Sequence, residues 1–391
     1  MIPVNEALSI VANVSKNHAY KTLSLGDALN YILYEDVISP IDMPPFRQSA
    51  MDGYAIKWSE DDLFSIAGET KAGDSHKFTQ EEGEAIRIFT GALVPDTADT
   101  VIIQEHVKRF KDNILIKKMP AKYANIRQRG EQISVGNTAL KKGIKLNEAA
   151  IGFLACLGIV QVKVYKLPSV SILVTGSELQ VGGSPLKPGG IYESNSIMLK
   201  AALYQIGIKN IQIKKIKDDY NTTEEGIENA LCDSDLVLIS GGISVGDYDF
   251  VKKALLANQV EELFYRVNQK PGKPLWFGKK DDAFVFALPG NPASVLTCFY
   301  VYVLPLIREI AGFKNYHLKK VSAKSISNFK NTSGKTLFLK AKLQNKKAEL
   351  LTGQSSSMLN SFALSNAIVV IDESTVDVKV GDQVQCLLLE N

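Results

Sequence analysis

The amino-acid sequence predicts a multidomain α/β-plus-β protein: a doubly wound parallel α/β domain, an inserted β module and a C-terminal β-barrel. Three observations carry the prediction. Between residues 168 and 317, buried-type strands alternate with helices, the pattern of βαβ units that build a parallel sheet. Residues 46–124 and 318–391 instead show short β-rich runs separated by turn formers. At 391 residues the chain is also too long for one ordinary core.

In order along the chain, Asn5 is placed to cap a helix through Glu6 to Ala12. Ser24 and Asp27 resemble a capping box opening a second helix, Ala28 to Tyr34. Pro40, Pro44 and Pro45 then break helical structure. Short strands are predicted at Ser65–Ala67, Ala85–Thr90, Thr100–Gln104 and Asn113–Lys117, all inside the inserted module. A basic loop, Arg127 to Glu131, precedes a helix capped by Asn147 and ended by Gly158, and a strand follows at Ile159–Val164. Residues 125–167 are expected to pack beside residues 1–45 as one discontinuous domain, with 46–124 inserted.

The α/β domain, 168–317, is predicted to run strand Val170–Thr175, helix Ser194–Gln205, strand Asn210–Ile216, helix Thr222–Leu231, strand Leu236–Ser240 and helix Phe250–Ala257. It closes with strand Ala283–Leu288 and a helix from Ala293 to about Ala311. Strands at Lys335–Lys340, Ala367–Ile371 and Gln383–Leu388 belong to the C-terminal barrel, 318–391.

Composition narrows the function classes. With 45% hydrophobic and 22% charged residues and a formal charge of +3, nothing points to nucleic-acid or membrane binding. Apolar stretches are interrupted before the ~20 residues a membrane span needs. No basic-then-apolar leader opens the chain. Four scattered cysteines, Cys156, Cys232, Cys298 and Cys386, fit reduced thiols in a cytoplasmic protein. The four histidines are isolated and are given no role.

Candidate chemistry gathers at predicted strand ends. Asp235 to Phe250 reads as a buried strand, a Gly241-Gly242 turn and a helix, with Ser244, Asp247 and Asp249 in the connecting loop. Such a turn at the carboxyl edge of a parallel sheet suits an anion. Carboxylates beside an anion need an intervening cation, which points to a divalent metal; an ordinary turn with solvated acids is the competing reading. Glu178 follows the first strand, and Asp218-Asp219 follows the second. These acids are either helix caps or ligands of Mg²⁺. Lys270-Pro-Gly-Lys273-Pro274 is a proline-stiffened loop with two ammonium groups, suited to an oxyanion; an exposed hairpin with solvated lysines is the alternative. Pro289-Gly-Asn-Pro292-Ala-Ser294 puts a tight turn before a helix N-terminus.

Five segments resemble the molybdopterin molybdotransferase family, that of MoeA and the gephyrin E domain. They are Pro45 to Ala55 with Met51-Asp52-Gly53-Tyr54, Arg87 to Ala92, Ile239 to Asp249, Lys270 to Pro274, and Leu288 to Pro292. Thr175-Gly-Ser-Glu178-Leu and Gly353-Gln-Ser-Ser356-Ser357 fall in register with them, so the likeness covers essentially the whole chain.

The resemblance implies an L-shaped homodimer of four-domain subunits, with an active site between the α/β domain of one subunit and the β module of the other. It implies a transferase that takes adenylylated molybdopterin and molybdate, hydrolyses the adenylate in a Mg²⁺-dependent step, releases AMP and leaves molybdenum on the pterin dithiolene. A molybdopterin adenylyltransferase would supply the substrate. By residue, it makes Glu178, Asp218 and Asp249 the catalytic and metal-side acids, with Asp52 and Thr90 reaching in from the partner. Lys270, Lys273, Ser294, Ser356 and Lys340 would line the oxyanion pocket. Pro289 and Pro292 would shape it, and Arg127 and Ser244 would bind substrate. Read from residues alone, Met51-Asp52-Gly53 is a turn.

The chain departs from the family pattern at Gln132, where an acid is usual, and at Lys340, where the family has an arginine. A lysine keeps the charge but loses the bidentate fork. Two other functions are weighed. Adenylylation of molybdopterin would use the shared Ser-Gly-Gly stretch but leaves the extra modules unexplained. A peptide-binding scaffold would need neither Glu178 nor Asp249.

Overall fold

The computed structural model describes residues 1–14, 16, 18–75, 78–243 and 250–389. The chain divides into two compact units. One comprises Met1–Lys21, Asn30–Tyr34 and Val164–Asn391; the other comprises Thr22–Leu29 and Glu35–Lys163.

The first unit is built on a six-stranded sheet ordered Ile211–Ile216, Val170–Thr175, Leu236–Ser240, Ala283–Leu288, Trp276–Lys280 and Glu261–Tyr265. The first four strands are parallel. The last two are antiparallel additions, edge strands that the sequence reading did not place. The reason is connection length: only Asp281 and Asp282 join Lys280 to Ala283, and two residues can close only an antiparallel hairpin.

Leu236–Ser240 is central and buried at every position, as expected of a strand covered on both faces. Alternate residues feed two cores. Val170, Ile172, Leu236 and Leu238 pack with residues of helices Asn195–Gln205 and Pro292–Ile310 and of the N-terminal helix. Leu173, Val237 and Ile239 pack with residues of helices Tyr220–Asp233 and Phe250–Ala257. The sheet is therefore doubly wound.

The N-terminal helix spans Val4–Asn13 with Pro3 at its N-cap, so Asn5 lies inside it and does not cap it. Pro3 already holds the φ that leads into a helix, which moves the start two residues earlier than the side-chain signal. The long helix Pro292–Ile310 contains a π-turn at Phe299–Val303. Pro305 lacks an N–H and its ring crowds the carbonyl four residues back, so the ladder slips by one residue just before it. This helix is long and apolar enough to cross a membrane, but most of it is buried as a core element.

Five strands close a barrel in the C-terminal part: Lys320–Ser325, Lys347–Leu350, Thr336–Gln344, Ala367–Ile371 and Gln383–Leu388. Ala323, Leu339, Ala341, Val369 and Cys386 fill it. Closure leaves no free sheet edge except where a sixth strand, Gln269–Lys270, pairs parallel with Thr336 and Leu337.

The second unit carries a six-stranded sheet ordered Thr100–Ile103, Gly53–Ile56, Glu84–Ile88, Leu63–Thr70, Asn113–Ile116 and Val107–Phe110. Gln48–Ser49 pairs with Ile126–Arg127, and Val37–Ile38 with Thr138–Leu140. Helix Glu148–Cys156 is capped by Asn147, whose Oδ1 accepts from Ala150 N at 2.9 Å. The helix expected at Ala28–Tyr34 is absent. Ser24 Oγ caps only a single 3₁₀ turn, Leu25–Asp27. Asn30 then takes positive φ, and Leu33 bridges Val164, so strand pairing displaces local helix propensity.

Candidate active site

A cavity of about 1240 Å³ opens in the first unit at the carboxyl ends of the parallel strands. Its acidic side comes from the loops after two of them. Glu178 follows strand Val170–Thr175, and its carboxylate folds back against Gly176. A Cβ on Gly176 would lie 2.8 Å from Glu178 Oε2, and φ there is +147°, so only glycine fits. Asp218 follows strand Ile211–Ile216 and accepts from Thr175 Oγ1 at 3.3 Å.

Asp219, its chain neighbour, turns the other way. It caps helix Tyr220–Asp233, accepting from Thr222 N at 2.9 Å and Thr222 Oγ1 at 2.8 Å. The backbone N–H of Thr222, then its hydroxyl, hold the Asp219 carboxyl below the ordinary carboxylate range. Of the adjacent pair, one acid lines the cavity and the other caps.

The Gly241 turn closes the end of the central strand. A Cβ at Gly241 would sit 2.4 Å from Thr175 O, and its φ is +95°. Ser244, Asp247 and Asp249, which the sequence places in the loop beyond, lie outside the described residues.

Asn195 is a cavity residue that sequence reasoning passes over. It is buried, and its Nδ2 donates to Ser240 Oγ at 2.9 Å and to Gly290 O at 2.8 Å. Among the described residues its Oδ1 has no partner. The available signal was its place at the start of a helix on the same rim.

Lys270, the last residue of the strand added to the barrel, and Lys273, in the loop that follows it, both line the cavity. Fully buried Gln269 holds this loop from beneath: its Nε2 donates to Pro271 O at 3.2 Å and Gly272 O at 3.1 Å. Tyr302 Oη, on the π-turn of the long helix, donates to Gln269 Oε1. Pro289 and Pro292 line the cavity where the last parallel strand turns into that helix, and Ser294 lines it from the first helical turn. Ser356 faces it from the barrel side. Ser356 Oγ accepts from Asn291 Nδ2 at 3.0 Å, and Ser356 O accepts from Ala293 N at 3.0 Å.

Lys340 is not on the cavity wall. The resemblance assigns it to the oxyanion; here its ammonium donates to Gly353 O at 2.7 Å, Ser355 O at 3.1 Å and Met358 O at 3.1 Å. Burial lowers its pKa from the ordinary lysine value. The side chain reaches the 353–358 loop, whose serines line the cavity, which the sequence pattern did not reveal.

Glu178 and Asp218 are the two described carboxylates that the sequence assigns to a metal. Among the described residues no group of three or more His, Cys, Asp or Glu could hold a metal alone. Mg²⁺ retains several waters and takes one or two protein carboxylates together with substrate phosphates, so this donor set fits it.

The second unit has its own polar cluster. Asp52 Oδ1 accepts from Thr90 N and from Thr90 Oγ1, both at 2.8 Å. The backbone N–H, then the hydroxyl, keep the Asp52 carboxyl below its usual range, with a smaller contribution from Arg87. Arg87 was not singled out by sequence, although it pairs across the strands with Tyr54. Its guanidinium stacks over Tyr54 and Phe89 and donates to Gly53 O at 2.9 Å and Gln104 Oε1 at 2.7 Å. Arg127 is exposed on its short strand. Arg129, beside it, pairs with Asp42 at 2.7 Å. Gln132 contributes its backbone N–H to Met43 O at 2.9 Å.

Comparison with known proteins covers nearly the whole chain. Residues 2–158 match the model of the MoeA N-terminal region, domains I and II. Residues 171–309 match a probable molybdopterin binding domain, and residues 322–389 match the MoeA C-terminal region, domain IV. A protein of Haemophilus influenzae named molybdopterin molybdenumtransferase is 36% identical, covering 93% of this chain and 92% of its own. One of the same name from Staphylococcus epidermidis is 32% identical, covering 100% of this chain and 96% of its own. The crystal structure of a molybdopterin biosynthesis MoeA protein from Pyrococcus horikoshii superposes with a TM-score of 0.87 at 30% identity over 100% of both chains.

Proposed function

The chain belongs to the MoeA family of molybdopterin molybdenumtransferases, and on that premise we propose that its cavity brings a pterin-bound nucleotide phosphate and molybdate together. The chain is a transferase of molybdenum cofactor biosynthesis. In this reading the substrate is adenylylated molybdopterin, the adenylate is hydrolysed, AMP leaves and molybdenum stays on the dithiolene.

One observation carries the reading: Glu178 and Asp218 share a cavity with Lys270, Lys273, Ser294 and Ser356. A phosphate reached through a cation and an oxyanion held by donors need opposite partners, and this cavity supplies both. Mg²⁺, when bound, would neutralise phosphate charge and polarise the phosphorus. Glu178 and Asp218 would hold it, with Thr175 steadying the Asp218 carboxylate. Lys270 and Lys273 would attract the doubly charged oxyanion, and Gln269 pins the backbone between them through Pro271 O and Gly272 O. Ser294 and Ser356 add hydroxyl donors, while Pro289 and Pro292 stiffen the turn beside them.

The same proposal includes a homodimer in which Asp52 and Thr90 complete the site of the other subunit and Arg127 contributes to substrate binding. It includes Asp249 as a third acid, Ser244 as a substrate contact, a molybdopterin adenylyltransferase as supplier, and a cytoplasmic location. Relatives matching the full chain carry the transferase name, so neither adenylyltransferase nor scaffold is favoured.

A mixed assay tests it. The purified full chain is given adenylylated molybdopterin, molybdate and Mg²⁺, and AMP is followed by chromatography. Molybdate-dependent AMP release is expected, and removal of Mg²⁺ with a chelator should stop it. Formation of adenylylated pterin from ATP, or no AMP with all three present, would overturn the reading.

A further inference from the structure

Lys340 is an ammonium buried to 3% exposure on barrel strand Thr336–Gln344, and no salt bridge reaches it among the described residues. An ammonium has three donors. Here all three go to backbone carbonyls of one loop, those of Gly353, Ser355 and Met358. The backbone of Lys340 is clamped to the same loop: its N–H donates to Gln354 Oε1 at 3.0 Å, and Gln354 Nε2 donates to its carbonyl at 2.8 Å. On the far side, Ser356 O accepts from Ala293 N.

Four carbonyls of residues 353–358 are thus occupied, three of them by Nζ. Ser355, Ser356 and Ser357 line the cavity. Among the described residues, the backbone N–H groups of these three serines have no acceptor. Successive free N–H groups beside hydroxyls form a concavity for an anion, whereas carbonyls turned into the same space would repel it.

We propose that Lys340 is a positioning residue for the oxyanion: it draws the carbonyls of the 353–358 loop away from the cavity, so that the loop presents the donors of Ser355–Ser357 to molybdate, and it does not touch the ion itself. The proposal rests on the function given above and names how one side of that site is built. It also accounts for a buried lysine that no salt bridge answers among the described residues. The anion across the loop is the countercharge, and removing the ammonium would take the charged donor from three carbonyls, leaving Gly353 O and Met358 O to Ser361 Oγ and Ser355 O to Met358 N.

Wild type is compared with Lys340→Gln, which has no charge and one fewer donor, and with Lys340→Arg, which keeps charge and donors. In Lys340→Gln the KM for molybdate should rise about tenfold or more, with a smaller change in kcat, and Lys340→Arg should recover most of the loss. Amide hydrogen exchange over residues 353–358 should quicken in Lys340→Gln, and molybdate alone should slow it in wild type. An unchanged KM for molybdate in folded Lys340→Gln overturns the proposal. So does wild-type exchange indifferent to molybdate, or a molybdate-soaked crystal with Nζ in contact with the ion. Should Lys340→Gln fail to fold, the wild-type exchange still decides. If wild type releases no AMP, the functional reading fails, and exchange with molybdate alone still judges Lys340.

Discussion

The side-chain amide of Asn195 donates to Ser240 Oγ at 2.9 Å, tying the first turn of a helix to the last residue of the central strand. The same nitrogen reaches Gly290 O, so one buried residue joins three pieces of the cavity rim. Asn195→Asp would aim an acceptor at a carbonyl. The expected loss is roughly 1–3 kcal/mol, the usual cost of a buried group left unpaired, read as a lower urea midpoint. A midpoint equal to wild type would show that the amide ties nothing.

Asp218 and Asp219 should separate by readout. Asp218→Asn and Glu178→Gln are expected to lower AMP release about a hundredfold while folding normally. Asp219→Ala should lower the thermal midpoint, because it removes a cap accepting from Thr222, and should leave AMP release near wild type. Assigning the wrong acid to the cavity would exchange these two phenotypes.

Asp52 should titrate below an ordinary carboxylate, because Thr90 donates twice to one oxygen. A lowered folded pKa gives stability that is present above the unfolded value, near ~3.9, and is lost as pH falls through the folded one. Thr90→Val should move Asp52 up toward the ordinary value and shrink that acid-side loss. Carboxyl-carbon NMR titration measures the first effect and acid unfolding the second; an unmoved Asp52 would contradict the geometry.

Burial pushes the Cys298 thiol up to about 12, so at neutral pH it is protonated and a poor nucleophile. Cys156 and Cys232 are exposed. Brief iodoacetamide treatment of the native protein should label those two and spare Cys298, as read by peptide mass spectrometry. Labelling of Cys298 at a comparable rate would mean that the packing between the lysine loop and the long helix is looser than described.

Much of the α/β architecture was legible because its strands are short apolar runs bounded by glycine or acid, and Val170–Thr175 and Leu236–Ser240 appear with the bounds expected from sequence. The antiparallel edge was missed although the Asp281-Asp282 turn that dictates it is visible. The helix at Ala28–Tyr34 failed because a capping signal speaks for one turn only, and pairing of Leu33 with Val164 outweighed it. Within the site, the acids and the two lysines could be read from their places at strand ends. Asn195, Arg87 and the turned ammonium of Lys340 could not, because their duties are set by neighbours distant in sequence. Nor could any local pattern say which of Asp218 and Asp219 would cap.

The closed barrel holds Lys340 beneath the serines and pairs with the strand that leads into the lysines, whereas the acids hang from the open sheet. On the proposed function, selectivity between tetrahedral oxyanions of similar charge, molybdate against tungstate for instance, would drift through changes in barrel residues. The half proposed to handle the nucleotide would keep its chemistry while this happens, and relatives that prefer different metals are expected to diverge first around residues 353–358.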